Sequence, residues 1–542
     1  MKNETFQISG KIMDVVSGRI FKGTVSIENG KVNHIEEDDN VPDQFILPGL
    51  IDAHIHIESS MLIPSEFARI AVVHGTVATV SDPHEIANVL GIKGVRFMID
   101  NGKKVPFNFF FGAPSCVPAT PFETSGASVG TEEVEELLQS DDIYYLSEMM
   151  NFPGVLSTDS SVMEKLALAK KYNKPVDGHA PGLTGEQAAT YIAAGISTDH
   201  ECYSLDEAIS KLKYGMHILI REGSAAKNFN VLSPLIETYP GNVMFCSDDK
   251  HPNDLVKGHI NDLVKRAIAM GFDPLTVIRC CSLNPVRHYN LNVGLVQTGD
   301  PADFIIVDDL QNFNILTTYI NGNKVAENGK SLIRSVSETP MNNFFASHIH
   351  VDDIRATPVN EQIRVMKALD GQLLTGEIFA KGKTGNGNLI SDTDNDILKI
   401  VVKDRYTDSP PAVGFVTGFG LKKGAIGSSV AHDSHNIIAV GADDHSITEA
   451  INLIISSQGG ISFTCGEEKE LLALPFAGIM AGKDGYSVAS RYELFHEKSK
   501  EMGSKLGAPF MTLSFMSLLV IPEIKLSDKG LFDAKHFRFT EL

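Results

Sequence analysis

Hydrophobic and polar positions alternate in a regular way between residues 45 and 291 of the chain. Eight short apolar runs are separated by segments with helical spacing, several of which begin with a capping residue and acidic side chains. The runs are residues 45–57, 76–81, 105–111, 143–146, 176–179, 195–199, 217–220 and 243–246, and the clearest helices are 131–138, 160–172, 185–194 and 254–270. Eight such units in about 240 residues are the size of a (β/α)8 barrel, a parallel sheet closed on itself. We therefore predict an α/β fold with a TIM-like barrel over residues 47–291.

Shorter strands with turn signals lie on both sides of this region. Residues 1–46 alternate apolar and polar positions between glycine-containing turns, and the same pattern returns after residue 291, with strands predicted at 294–296 and 299–308. Because both segments flank the barrel, we expect 1–46 and 292–340 to form one composite β-sandwich domain. Glycine-rich strands near 413–420, followed by helices at 446–456 and 492–506, predict a C-terminal α+β domain over 345–542.

Composition narrows the class of protein. The 542 residues are 43% hydrophobic and 21% charged, which is ordinary for a globular enzyme, and the net charge of −21 argues against a nucleic-acid or anionic-membrane partner. The N-terminus lacks an apolar signal core, and the longest apolar stretch, 510–521, is too short to cross a bilayer. Six cysteines in a chain of this length do not make a disulfide framework. We expect a cytoplasmic protein with reduced thiols.

Histidines and carboxylates stand at the ends of the apolar runs. His54 and His56 are separated by one residue, so on a strand their side chains point the same way and can hold one divalent metal ion. His179, His200 and Asp248 end the fifth, sixth and eighth runs. Because functional side chains of such barrels gather at the C-terminal ends of the strands, we expect these five residues to meet. Asp248 is then suited to take a proton from water and to pass it to a leaving group.

Glu148 and the cluster Asp82, His84 and Glu85 are further candidates for the metal site. A second metal ion needs an anion between the two ions, and the fourth run has Glu148 but no lysine that could be carboxylated. Asp82, His84 and Glu85 follow the second run and are predicted to line the pocket, to hold a further ion or to support the other ligands. Oxygen and nitrogen ligands without thiolate favour manganese, iron or zinc over copper.

These motifs, in this order, resemble the amidohydrolase superfamily and, within it, the bacterial adenine deaminase family. The segments that carry the likeness are 48–60, 82–88, 177–182, 198–201, 220–226, 247–249 and, in the last domain, 427–436. The resemblance implies hydrolytic deamination of adenine to hypoxanthine and ammonia, with two Mn²⁺ or Fe²⁺ ions per chain and Zn²⁺ as a further possibility. It also implies that Glu148 replaces the carboxylated lysine of other members, and that the enzyme works on a small molecule as a homo-oligomer, a dimer.

The roles that this resemblance implies can be assigned residue by residue. Water activated by the metal would attack C6 of the purine, Asp248 would move its proton, and Glu201 or Glu85 would protonate the ring. The expected metal ligands are His54, His56, Glu148, His179, His200 and Asp248, and the expected substrate contacts are Arg221, Glu222, Ser224, Asp82 and His84.

Two other interpretations are open. An amidohydrolase that acts on a cyclic amide or an N-acyl group is less favoured, because such enzymes commonly need the bridging lysine that Glu148 replaces. A catalytically inactive scaffold is expected to have lost metal ligands, whereas this chain has all of them. The sequence does not indicate where His432, Asp433 and His435 of the last domain lie relative to the barrel.

Overall fold

Eight parallel strands form a ring in the first half of the chain. The computed structural model describes residues 5–542, and within it five strands pair in one parallel sheet and three in another. Single parallel bridges, Val176 with Ile196 and Ile55 with Asp248, join the two sheets at both seams. The strands are Leu50–Ile55, Thr76–Ser81, Asn108–Ala113, Ile143–Met149, Val176–Gly178, Thr198–Asp199, His217–Arg221 and Val243–Cys246. The predicted (β/α)8 barrel is confirmed.

Helices surround the barrel strands. Strands such as Val243–Cys246 are buried at every position, which is why they appear in the sequence as unbroken apolar runs rather than as an alternation. The helices of this part are Pro64–Ala71, His84–Leu90, Ile92–Gly102, Thr131–Leu138, Phe152–Leu156, Ser160–Lys171, Gly185–Ala193, Leu205–Leu212, Phe229–Leu232, Leu235–Thr238, Pro252–Leu255, Ile260–Ala269, Pro274–Cys280 and Leu283–Tyr289, with short 3-10 turns at Ile57–Ser60 and Val72–His74.

Three predicted elements differ from the structure. The run 45–57 is two strands, which separate at Gly49, where a Cβ atom would lie 2.3 Å from a methyl group of Val77. The helix predicted over 254–270 is broken between Leu255 and Ile260, because His259 turns inward and its Nε2 lies 2.8 Å from Asp52 Oδ2. Residues 294–296 are not a strand. Hydrophobic pattern alone cannot detect a break that a buried polar contact or a close backbone approach imposes.

The strands on either side of the barrel belong to one eight-stranded sheet. The sheet curls so that Lys31 pairs with Pro301, and it encloses a core of its own that includes Ile12, Val25 and Phe304. Its strands are Thr5–Asp14, Arg19–Glu28, Lys31–Glu37, Phe45–Pro48, Phe304–Val307, Ile315–Ile320, Asn323–Glu327 and Lys330–Ser331. The exact domain limits given above stay a prediction.

A second eight-stranded sheet forms the C-terminal part. Its strands are Gln362–Ala368, Thr375–Lys381, Leu398–Lys403, Ala412–Thr417, Ala425–Ser428, Ile437–Gly441, Gly460–Cys465 and Glu468–Ala473. The remaining elements are the strands Thr384–Gly385, Asn388–Leu389, Ile524–Ser527, Gly530–Asp533 and Arg538–Phe539, the 3-10 turn Val351–Ile354 and the helices Asp444–Ser457, Gly485–Glu501 and Pro509–Phe515.

This C-terminal part packs directly on the barrel. Phe97 stacks on Phe476 with ring centroids 5.5 Å apart, and the Asn253 amide donates a 2.6 Å hydrogen bond to Glu493. One continuous hydrophobic cluster runs through both parts. The position of the C-terminal part therefore decides what covers the mouth of the barrel. Among residues 5–542, the helices all fall short of the length and apolar character that crossing a membrane requires.

Candidate metal centre and active-site cavity

The two histidines of the first strand meet the aspartate that follows the last strand. Nε2 of His54 and Nε2 of His56 are 3.3 Å apart, and Oδ1 of Asp248 lies 3.7 Å from the first and 3.2 Å from the second. Three donor atoms so close together, on side chains that are almost fully buried, form a group that can hold one cation.

Glu148 lies between this group and two further histidines. Its Oε1 is 3.4 Å from Nε2 of His56, while its Oε2 is 2.8 Å from Nδ1 of His179 and 3.2 Å from Nε2 of His200. The carboxylate thus presents one oxygen to His56 and the other to His179 and His200. This is the geometry that a bridging anion between two cations needs.

Backbone contacts fix Asp248 against the first strand. The Asp248 N–H donates a 2.9 Å hydrogen bond to the His54 carbonyl, and Asp248 has a positive φ of 53°. Aspartate tolerates this left-handed conformation better than most residues. The turn therefore directs the Asp248 side chain back over the end of the barrel, toward both histidines.

The ionisation of His54 suits cation binding. Burial, together with the neighbouring His200 and His56, holds the pKa of His54 well below its ordinary value, so this imidazole is neutral, as a metal ligand must be. His54 Nδ1 and His179 Nε2 are buried ring nitrogens without a hydrogen-bond partner. Nitrogen and oxygen donors that are close together, buried and incompletely paired fit divalent cations of the manganese, iron or zinc type.

Asp177 lies beside His54, a position that the sequence did not predict. Its Oδ2 lies 4.0 Å from Nδ1 of His54, and its carboxylate accepts hydrogen bonds of 2.9 Å from Tyr289 and Thr198. Burial raises the pKa of Asp177 to about 7. Carboxylates behind ligand histidines commonly orient the ring. Asp177 belongs to the sequence motif at 177–182, but the motif gave no reason to assign it a role of its own beside that of His179.

The three residues predicted as substrate contacts after the seventh strand have different positions. Arg221 Nη1 donates a 2.6 Å hydrogen bond to Asp248 Oδ2, and the same guanidinium is paired with Glu201. Glu222 pairs with Arg266 at 2.9 Å, and Ser224 donates a 2.7 Å hydrogen bond to Asp254. Glu222 and Ser224 do not line the cavity described below, and their contact with substrate stays a prediction without support from this geometry.

The acidic cluster after the second strand adjoins the metal centre. Nδ1 of His84 lies 3.2 Å from Asp82 Oδ2 and 3.5 Å from Glu148 Oε1. Nε2 of His84 lies 3.6 Å from Glu85 Oε1. His56, Asp82, His84 and Glu148 together form one group of possible ligands. His84 and Glu85 therefore form one wall of the site, and Asp82 lies behind it.

A cavity lies over the predicted ligands, and part of its wall comes from the C-terminal part of the chain. His84, Glu85, Glu201 and Asp249 line it from the barrel side, together with five of the six predicted ligands. The C-terminal part contributes the apolar side chains Leu373, Phe515, Leu518 and Val520 and the polar His432 and Asp433. Sequence reasoning missed the four apolar residues, because nothing in an apolar segment indicates which other surface it covers. A polar floor of predicted ligands beneath an apolar wall is the usual composition of a small-molecule site.

Comparisons with known proteins identify the family of this chain. A model of the amidohydrolase family matches residues 45–325, and a model of the adenine deaminase C-terminal domain matches residues 372–538. The chain is 53% identical over 546 residues to the adenine deaminase of Methanosarcina mazei, covering 98% of each chain. It is 55% identical over 537 residues to that of Sulfurovum sp., covering 99% of each chain. A solved structure of a beta-aspartyl dipeptidase from Fervidobacterium islandicum is 17% identical, covers 62% of this chain and 99% of that one, and has a TM-score of 0.46.

The barrel, its cluster of histidines and carboxylates and the family match together make this protein a hydrolase of the amidohydrolase type. At this level of identity over the whole length, the chain belongs to the adenine deaminase family within that class.

Proposed function

We propose that this protein hydrolyses adenine to hypoxanthine and ammonia, with two divalent cations bound at the end of the barrel, as a step in purine salvage. The observation that carries the proposal is the match over the whole length to adenine deaminases, in a chain whose six predicted ligand side chains lie together. In the reaction, the C6–N6 bond of adenine breaks and a C6–O bond forms with water, so adenine and water become hypoxanthine and ammonia.

The distances between the side chains support the proposed ligand assignment. His54, His56 and Asp248 would hold one ion and His179 and His200 the other, with the Glu148 carboxylate between them. When bound, such ions lower the pKa of a coordinated water toward neutrality and so supply a nucleophile at pH 7. Manganese or iron is our first choice and zinc the second. Donor chemistry does not separate these three metals, and only the family resemblance favours the first two.

Asp248 is the proposed general base. One of its oxygens faces the histidines, and the other accepts a hydrogen bond from Arg221. Burial favours the neutral carboxyl, but Arg221 and the neighbouring histidines hold the pKa of Asp248 well below its ordinary value. An ionised carboxylate at this place can accept the proton of the attacking water and deliver it to the departing amino group.

Glu85 and Glu201 line the cavity and are the proposed partners of the purine ring nitrogens. Glu201 accepts hydrogen bonds from both terminal nitrogens of Arg221, so as a carboxylate it can pair with an N–H of the purine. Protonation of a bare ring nitrogen by Glu201 or Glu85 stays a prediction. Arg221 then holds Glu201 and Asp248 in place, and contact between Arg221 and the substrate is not needed. Asp82 and His84 support the wall next to Glu148.

We also propose a cytoplasmic, dimeric enzyme. All six cysteines are free thiols, including the adjacent pair Cys280 and Cys281, which fits a reducing compartment. The dimer is an expectation from the family resemblance, and sedimentation of the metal-loaded enzyme tests it.

Ammonia release tests the activity. We expect purified protein reconstituted with Mn²⁺ to release ammonia from adenine, to bind about two ions per chain and to lose activity when a chelator removes them. Hydantoin and an N-acetyl sugar, run in the same assay, represent the other amidohydrolase chemistries. Activity on either of these with none on adenine would refute the proposal, and so would a fully active preparation without bound metal.

A further inference from the structure

Two histidines of the C-terminal part contact a carboxylate of the barrel. They belong to the turn that connects strands Ala425–Ser428 and Ile437–Gly441. His432 Nδ1 is hydrogen-bonded to Oε1 of Glu85, and His435 Nε2 contacts Oε2 of the same side chain. All three side chains are almost fully buried, with exposures of 3%, 1% and 1% for His432, His435 and Glu85. Both oxygens of a carboxylate on the wall of the cavity therefore depend on one turn of another domain.

The turn is built to present these rings. The His435 N–H donates a 2.7 Å hydrogen bond to the Ala431 carbonyl, and the Ala431 N–H donates one of 3.3 Å to Nδ1 of His435. Since Nδ1 accepts this bond, the ring proton of a neutral His435 is on Nε2, the atom that faces Glu85. The Tyr406 hydroxyl donates a 2.5 Å hydrogen bond to the Ser434 carbonyl and ties the turn to its own domain.

The turn is also tied to the barrel and to the apolar wall of the cavity. The Asn436 side chain donates a 2.9 Å hydrogen bond to the Thr124 carbonyl, which belongs to the barrel part. The ring of His432 lies 5.2 Å from the ring of Phe515, one of the apolar side chains over the metal centre. The place of the turn is thus fixed from three sides, which is what a rigid support for a functional side chain requires.

We propose that His432 and His435 are positioning residues for deamination, which hold the Glu85 carboxylate in the orientation in which it meets the purine ring. The inference rests on the proposed function and extends it, because it makes the C-terminal domain a part of the active site. Without the two rings, Glu85 would keep its contact with His84, whose Nε2 lies 3.6 Å from Oε1, and both oxygens would lose the partners that the turn provides.

A double-mutant cycle with Glu85 tests this role. If the histidines act through Glu85, H432A and H435A should each lower kcat by about 10–100-fold, the usual scale for outer partners of a catalytic group, with the metal content unchanged. In an E85Q background, the same changes should lower kcat by less than about 3-fold, since the group they act on is already altered. Additive losses in the two backgrounds would mean a general structural role and would overturn the proposal.

Conservative variants and a matched control sharpen the result. Asparagine at 432 retains an N–H donor near Nδ1, and glutamine at 435 retains one near Nε2, so H432N and H435Q should recover part of the activity that the alanine variants lose. H445A removes an exposed histidine of the same domain and should behave like the wild type. If H432A or H435A loses one equivalent of bound metal, these residues are ligands, and the positioning role is wrong.

The two proposals fail in different ways. If the wild type and H445A do not deaminate adenine, the proposed function is wrong. If both are active and H432A and H435A match them in kcat, only the positioning role is wrong. Thermal unfolding of each variant shows whether a loss of activity reflects a loss of fold.

Discussion

Arg221 donates a 2.6 Å hydrogen bond to Asp248 through the carboxylate oxygen that faces away from His54 and His56. The proposed base therefore has a fixed cation on one side and the predicted ligands on the other. Because both Arg221 and Asp248 are buried, their attraction is only weakly screened by solvent.

Removal of the Arg221 charge should move the pH dependence of the reaction. The guanidinium lowers the pKa of Asp248, so in R221M that pKa rises and the base stays protonated to higher pH. We expect the acid limb of kcat/KM to shift upward by about one pH unit or more, the usual effect of an adjacent arginine on an aspartate. R221K, which keeps the charge without the fork, should shift it less. An unchanged pH profile in R221M would mean that Arg221 has no part in setting the pKa of Asp248.

Asp248 itself is tested by D248N, which keeps the shape of the side chain and removes the base. We expect kcat to fall by about 10²–10⁴-fold, the usual contribution of a general base, with metal retained or partly lost. D352N, at an exposed aspartate of the C-terminal part, serves as the control for handling and metal loading. Near wild-type turnover in D248N would assign the proton transfer to another residue.

Glu148 is predicted to be the only protein carboxylate between the two ions. E148Q preserves its shape but removes the charge that offsets repulsion between two dications, so one ion should bind much more weakly and activity should collapse. Metal analysis after gel filtration measures this directly. Added bicarbonate should stimulate neither wild type nor mutant, because the site uses no carboxylated lysine. Tight binding of both ions by an active E148Q enzyme would place the bridge elsewhere.

The sequence predicted the barrel and its polar ends because both are local in origin. His54, His179 and Asp248 each stand at the end of an apolar run, and parallel strands bring such ends together without further information. Phe515 and His432 could not be placed in the same way. Their positions depend on how the last domain packs on the barrel, and a long-range packing arrangement leaves no periodic trace in one sequence. The contacts of Glu222 with Arg266 and of Ser224 with Asp254 could not be predicted either, since a loop sequence does not indicate which way its side chains turn.

The apolar wall of the cavity predicts selection for the free base. Leu373 and Phe515 line the cavity over the predicted ligands, so we expect ribose on adenine to collide with side chains of the C-terminal part. We expect kcat/KM for adenine to exceed that for adenosine by at least about 100-fold, or about 2.7 kcal/mol in transition-state free energy. Equal or faster turnover of adenosine would contradict this assignment of the wall.

Phe515 can be tested separately from the metal centre. F515L keeps an apolar side chain but removes the aromatic face, and we expect KM for adenine to rise several-fold while the metal content stays the same. F379L changes an exposed phenylalanine of the same domain, 57% accessible, and should leave KM unaltered. A change in kcat alone, without one in KM, would argue against contact between Phe515 and the bound base.

The last prediction concerns a lysine that supports this wall from within. Lys525 is fully buried, and its amine donates hydrogen bonds to the carbonyls of Leu373 at 2.8 Å and Phe515 at 2.9 Å. Burial lowers the pKa of Lys525 to about 7, far below the ordinary value of a lysine. Between this pH and about 10.4, the unfolded chain binds a proton at this position that the folded protein does not, so the free energy of unfolding rises with pH. The contribution of Lys525 to this slope should be about 1.4 kcal/mol per pH unit in the middle of the range.

The variant K525M removes the titrating group. Urea denaturation at pH 7, 8 and 9 measures the free energy of unfolding of wild type and K525M, and the difference between them should move in favour of the wild type as the pH rises. A difference that does not vary with pH would mean that Lys525 has an ordinary pKa in the folded protein.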